Sequence, residues 1–180
     1  MIRVEPARAQ DALPTLALHR DVLAEDRFFV TRPDELACTL EQREHEIAVL
    51  GAAPNACFLV ARLPDVRVAG FLVVNGGALA RTRHVGRIEL MIGAAYRRRG
   101  VGRALLDTAV GWASRTGVVS KLSLVVLADN APAIALYRAV GFVEEGRRTG
   151  EYREEDGTLR DDLLMARQVA SSSAHSASRR

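Results

Sequence analysis

The spacing of apolar residues divides the chain into short runs that suit strands and longer stretches with the three-and-four spacing of amphipathic helices. Residues 2–5 predict a first strand, and 10–27 and 33–50 predict helices, the second opening at Pro33-Asp34-Glu35 and stopped by Gly51 and Pro54. Two apolar runs, Cys57 to Leu63 and Val68 to Val74, flank Pro64-Asp65 and predict an antiparallel hairpin. A strand from His84 to Gly93, a helix over 103–116 and a Leu/Val-rich strand from Lys121 to Ala128 form a strand-helix-strand crossover. Within that helix Leu105, Leu106, Ala109, Trp112 and Ala113 share one face, while Asp107, Ser114 and Arg115 face water. Asn130 suits an N-cap, Pro132 a first turn and Gly141 a C′ position, which bounds a compact helix over 131–140. Strands over 142–153 and 159–168 pair through Asp156-Gly157.

The expected fold class is therefore α/β (α+β), one domain over residues 1–169 with a mixed central sheet of about six to seven strands and flanking helices. Residues 170–180, rich in Ser and Ala, lack apolar periodicity and are expected to be disordered. A chain of 180 residues, 48% hydrophobic and 26% charged, has the balance of a single globular domain. Its formal net charge is +3, and Arg179 and Arg180 supply two of those charges, so the folded part is close to neutral. That argues against a nucleic-acid partner. No apolar run approaches a membrane span and the N-terminus lacks a signal-peptide core, so no membrane association and a cytoplasmic location are expected. Cys38, placed in a helix, and Cys57, in a strand, lack metal-type spacing; both are expected as free thiols, and no metal is expected.

The candidate chemistry starts at Arg97-x-x-Gly100-x-Gly102, between a strand and an amphipathic helix. A diphosphate needs several N–H donors aimed at one place, and a helix N-terminus supplies them with a favourable dipole. Glycines allow close approach of the backbone, and neighbouring arginines add charge. Asn130 and Tyr137 stand at the next strand-to-helix junction, and two such junctions adjacent in a sheet can line one cleft. A phenol there can donate a proton to a leaving thiolate, although a lone tyrosine in an apolar helix is more commonly a core residue.

From His84 to Arg167 the chain resembles the GNAT superfamily of acyl-CoA-dependent N-acyltransferases. Arg97-x-x-Gly100-x-Gly102 resembles its Q/R-x-x-G-x-G/A pyrophosphate loop. Asn130 through Tyr137, followed by Val140-Gly141-Phe142, resembles its N-x-x-A-I-x-L-Y-x-x-x-G-F stretch, and Gly157 through Met165-Ala166 its closing segment. The resemblance implies acetyl-CoA lying between two splayed parallel strands, here 84–93 and 121–128. It further implies that Leu90, Met91 and Ile92 offer backbone groups to the pantetheine arm and that Arg97, Arg98, Arg99, Gly100, Val101, Gly102 and Arg103 hold the pyrophosphate. Asn130 would contact the CoA arm or fix its helix, and Tyr137 would protonate the departing thiolate.

The general base is less defined. Some members place a glutamate where this chain has Val125, so that base is absent; Glu89 is the nearest ionisable candidate, with His84 a weaker one. The acceptor amine is expected against residues 10–50 and the hairpin at 146–160, where Glu25, Asp26, Glu144, Glu145, Glu151, Glu154 and Glu155 could attract a cation. The resemblance implies an N-acetyltransferase acting on a small amine or amino acid; a protein N-terminal, ribosomal-protein-type acceptor and a non-catalytic CoA-binding regulatory module are the alternatives. Members are often dimers, so a homodimer is compatible with it.

Overall fold

The computed structural model describes residues 1–170 and contains a seven-stranded sheet with helices on both faces. In chain order the elements are β1 (Arg3–Pro6), α1 (Ala12–Leu23), α2 (Leu40–Ala52), β2 (Cys57–Leu63), β3 (Val66–Gly76), β4 (Val85–Ile92), α3 (Val101–Thr116), β5 (Lys121–Leu127), α4 (Ala131–Ala139), β6 (Val143–Arg153) and β7 (Leu159–Gln168). The spatial order is β1-β2-β3-β4-β5-β7-β6, and only the β4–β5 pair is parallel. The tail from residue 171 onward, expected to be disordered, lies outside the described residues.

Strand alternation sends two apolar sets to opposite faces. On one face Leu72, Val74, Ile88, Leu122, Leu124 and Val126 pack with Leu105, Leu106, Ala109 and Ala113 of α3 and Ile134 and Tyr137 of α4. On the other, Phe58, Val60, Phe71, Val73 and Met91 pack with Leu18 and Val22 of α1 and Ile47 of α2. The α3 stripe expected from the sequence is the buried one, with Trp112 partly covered. Asn130 caps α4, its side chain accepting from the Ala133 N–H at 3.2 Å.

Both N-terminal helices are shorter than their apolar spacing predicts. α1 ends at Leu23 because Asp26 turns into the left-handed region (φ 44°) and its N–H closes on the Leu23 carbonyl at 2.9 Å. Pro33-Asp34-Glu35 makes only a single 3-10 turn, satisfied locally by a Glu35 carboxylate that accepts from the Arg32 N–H at 2.8 Å. α2 instead begins at a reciprocal capping box: Thr39 Oγ1 accepts from the Gln42 N–H at 3.1 Å and Gln42 Oε1 from the Thr39 N–H at 2.8 Å. Cys38 therefore lies in the preceding loop and not in a helix, while Cys57 is buried in β2; both are free thiols.

Two glycines set how α3 approaches the sheet, for different reasons. Gly100, the N-cap, has φ 85°, a conformation costly for any residue with a side chain, although a Cβ there would meet only Ile2 Cδ1 at 3.5 Å. At Gly102 the backbone is helical, but a Cβ would lie 2.7 Å from Ile92 Cδ1 and 2.8 Å from Leu136 Cδ2, so the ends of both side chains would have to shift.

Thr39→Ala is expected to cost about 1 kcal/mol in urea unfolding because α2 loses its cap, whereas Asp34→Ala leaves the midpoint in place. Gly102→Ala is expected to cost about 1–3 kcal/mol through overpacking, and Gly100→Ala about 1–2 kcal/mol through backbone strain. Unfolding midpoints that match the unsubstituted protein would contradict these assignments.

Candidate active site

β4 and β5 are held together only by Val85↔Lys121, Gly86↔Leu122 and Arg87↔Ser123. Beyond Arg87 the strands part, so β4 from Ile88 to Ile92 presents an edge without a ladder partner on the β5 side. The β4 end expected to receive an extended ligand, Leu90, Met91 and Ile92, thus lies on an open edge. One group is already engaged: the Ile92 carbonyl accepts from Arg97 Nε at 3.1 Å.

Past the open edge, residues 94–96 form a 3-10 turn and the chain reaches α3 through Arg98 in the left-handed region (φ 56°) and Gly100. The cap is a glycine with no side-chain bond, so the first-turn N–H groups of Val101, Gly102 and Arg103 have no capping partner from it. These donors and the open edge are the kind of backbone groups that a diphosphate and an extended arm can bind. The seven residues expected at the pyrophosphate divide by role. Arg98 and Arg99 are exposed beside the uncapped turn. Arg103 forms an i,i+4 pair with Asp107 at 3.3 Å. Arg97 points elsewhere, its guanidinium gripping both oxygens of Glu25 at 2.6 and 2.5 Å, so it ties the loop to the end of α1.

Tyr137 is 8% exposed, and its hydroxyl makes no hydrogen bond among the described residues, yet it is not sealed off as an orphaned polar atom. Burial pushes its pKa up to about 12, so the phenol keeps its proton at neutral pH. Its ring packs against Phe142 at 6.0 Å. Asn130 spends Oδ1 on the cap of α4 and thereby fixes the helix that carries Tyr137.

Glu89 lies on the opposite face of the sheet from Tyr137, with Met91 and the α1–α2 layer. It accepts from Asn75 Nδ2 at 3.4 Å. The residue is exposed to solvent, yet protein atoms gather around its carboxyl. That burial raises its pKa, the Glu46 charge raises it further, and Arg43 opposes both. Val125, on the same face across the opening, is 51% exposed and brings no charge. His84 precedes β4 at the far end of the paired segment, away from the opening.

Further along that face, the 26–32 loop, the end of β5 and the β6–β7 hairpin enclose a groove of about 570 Å³ with Phe29, Val30, Leu127 and Tyr152 among its walls. The Tyr152 hydroxyl donates to Asp162 at 2.8 Å, and Arg148 also binds that fully buried carboxylate. Arg160 joins the groove's borders, holding Asp129 at 2.8 Å, Glu154 at 2.8 Å and the Arg27 carbonyl at 3.1 Å. The acidity expected to draw a cationic acceptor is largely consumed. Glu25, Glu144, Glu145, Glu151, Glu154 and Glu155 are paired with Arg97, Arg138, Lys121, Arg148, Arg160 and Arg32, which leaves Asp26 without an ion pair among the described residues.

Three features escaped the sequence: the Arg160 hub, the buried Asp162 and Arg43. Arg43 alone left a usable signal, since it stands four residues before Ile47 on the inner face of α2. No helix of the described residues is long and apolar enough to cross a membrane.

The chain is 33% identical over 104 residues to the L-amino acid N-acetyltransferase AaaT of Escherichia coli K12, a match covering 57% of this chain and 63% of that protein. It is 44% identical over 71 residues to the [ribosomal protein bS18]-alanine N-acetyltransferase of the same organism, covering 39% of this chain and 47% of that one. These matches span less than two thirds of either relative. The solved structure of a GNAT-family acetyltransferase from Streptococcus pneumoniae superposes with a TM-score of 0.89 at 29% identity, covering 94% of this chain and all of that one. Two solved structures of this fold, at 16% and 18% identity, hold acetyl-CoA. The model of the acetyltransferase (GNAT) family matches residues 20–142, and the chain belongs to that family.

Proposed function

We propose that this protein transfers an acetyl group from acetyl-CoA to the primary amine of a small molecule or amino acid by direct attack. The observation that carries this is the parting of β4 from β5 after Arg87↔Ser123, with an unpaired buried phenol on one side and a crowded carboxylate on the other. Acetyl-CoA supplies an activated acetyl thioester. Leu90, Met91 and Ile92 would hold its arm along the open edge, and Arg98, Arg99 and the N–H groups of residues 101–103 its pyrophosphate. A backbone N–H at Met91 or Ile92 orients the carbonyl under attack.

The two side chains divide the proton work. Glu89, with its proton affinity raised, takes a proton from the acceptor's ammonium through a water. Tyr137 is protonated throughout the neutral range and gives its proton to the leaving thiolate. The groove of about 570 Å³ between the 26–32 loop and the β6–β7 hairpin is of a size that suits a small acceptor. The likeness to AaaT supports an amino acid, and the likeness to the bS18 enzyme supports a protein N-terminus as the second reading.

A free-thiol release assay over amino acids, polyamines, aminoglycosides and N-terminal peptides separates these acceptors; turnover confined to peptides would favour the second reading. Tyr137→Phe is expected to lower kcat about 10²–10⁴-fold with acetyl-CoA affinity unchanged, and Glu89→Gln to lower it comparably. Equal turnover in either variant would remove that residue from the mechanism. Arg98→Glu and Arg99→Glu are each expected to weaken acetyl-CoA binding about tenfold, roughly 1.4 kcal/mol, by calorimetry.

A further inference from the structure

A charged cluster lies behind Glu89 that neither the family pattern nor the proposed transfer accounts for. Arg43 of α2 is 3% exposed. Its guanidinium carbon lies 5.7 and 5.5 Å from the ring centroids of Phe58 and Phe71. Nη1 meets Glu46 at 3.0 Å, Nη2 meets His19 Nδ1 at 2.8 Å, and Nε has no partner among the described residues. Burying a guanidinium with one donor unsatisfied is costly, and an apolar residue of similar volume would pack the same site at lower cost. The position therefore serves more than packing.

We infer that Arg43 and Glu46 are positioning residues that set the charge state of Glu89, with His19 fixing the Arg43 fork; this rests on Glu89 serving as the base. The layout supports it. Val73 pairs with Glu89 and Phe71 with Met91 across β3–β4, so the Phe71 ring on which Arg43 rests belongs to the same face as Glu89, one pair further along. Glu46 raises the proton affinity of Glu89 and Arg43 lowers it, and because the two are bound to each other they act as one dipole beside it.

His19 completes the arrangement by staying neutral. Burial first, and then the Arg43 charge, bring its pKa down to about 4, so at neutral pH Nδ1 accepts from Arg43 and adds no second cation. The other neighbours add little. Asn75 is uncharged, Arg87 on the same face of β4 is exposed and without an ion pair among the described residues, and Ser123 and Val125 of β5 carry no charge. In Glu46→Gln the carboxylate that raises the proton affinity of Glu89 disappears while Arg43, still held by His19 and the two rings, keeps lowering it.

The test is an NMR titration of the full chain labelled at the glutamate side-chain carboxyl carbon, with Glu89 assigned by the resonance missing in Glu89→Gln; no acceptor is required. In Glu46→Gln the Glu89 midpoint should move to lower pH, and in Glu44→Gln, on the exposed side of α2, it should stay in place. Arg43→Gln should move the midpoint to higher pH; should that variant not fold, Glu46→Gln alone decides. A Glu89 midpoint unmoved in Glu46→Gln overturns the inference, whereas the base assignment itself falls only if Glu89→Gln keeps full turnover in the thiol-release assay.

Discussion

β4 and β5 begin as a parallel pair and then separate after three residue pairs, and the placement of every other part of the site follows from that separation. A strand edge left open inside a protein is unfavourable, because its N–H and C=O groups need partners that only water or an extended ligand can supply. The sheet tolerates it here because each strand is secured on its other side, β4 by a long antiparallel register with β3 and β5 by seven pairs with β7. The opening is thus a permanent feature of the framework.

That geometry puts the proposed acid, Tyr137, and the proposed base, Glu89, on opposite faces of the sheet. Tyr137 belongs to the α3–α4 layer, where apolar packing raises its pKa and keeps it a proton donor. Glu89 belongs to the α1–α2 layer, where burial and a neighbouring carboxylate raise its affinity for a proton. Both shifts go upward, with opposite consequences. A phenol at about 12 keeps its proton at neutral pH, whereas a carboxylate whose pKa is raised binds a proton more tightly than an ordinary one. On one face of the sheet there would be no such contrast of environments.

How much of this could be found in the sequence depended on whether the cause was local. The α3 stripe, the Asn130 cap, the hairpin turns and the Gly100 and Gly102 positions all arise from neighbours within a few residues, and each lies where the spacing puts it. The start of α2 was equally local, since Thr39-x-x-Gln42 is a capping box, but Pro33-Asp34-Glu35 offered a competing signal that the chain uses for one 3-10 turn. What no window contains is pairing at long range. Arg97 carries the family's loop pattern and yet turns to Glu25, and Asp162, which looks like one more hairpin acid, is fully buried under Arg148 and Tyr152.

The same distinction bears on the acceptor. A run of acids around the groove suggests a field that gathers cations, but in the folded chain almost every one of them has an arginine or lysine partner, and the pairs join the 26–32 loop, the hairpin and the β5–α4 junction into one rim. Exposed pairs of this kind contribute little stability individually and are screened by salt. Their structural effect is to hold Phe29, Val30, Leu127 and Tyr152 as walls. If the proposed transfer takes its amine there, selection rests on the shape between those walls more than on a field of free carboxylates.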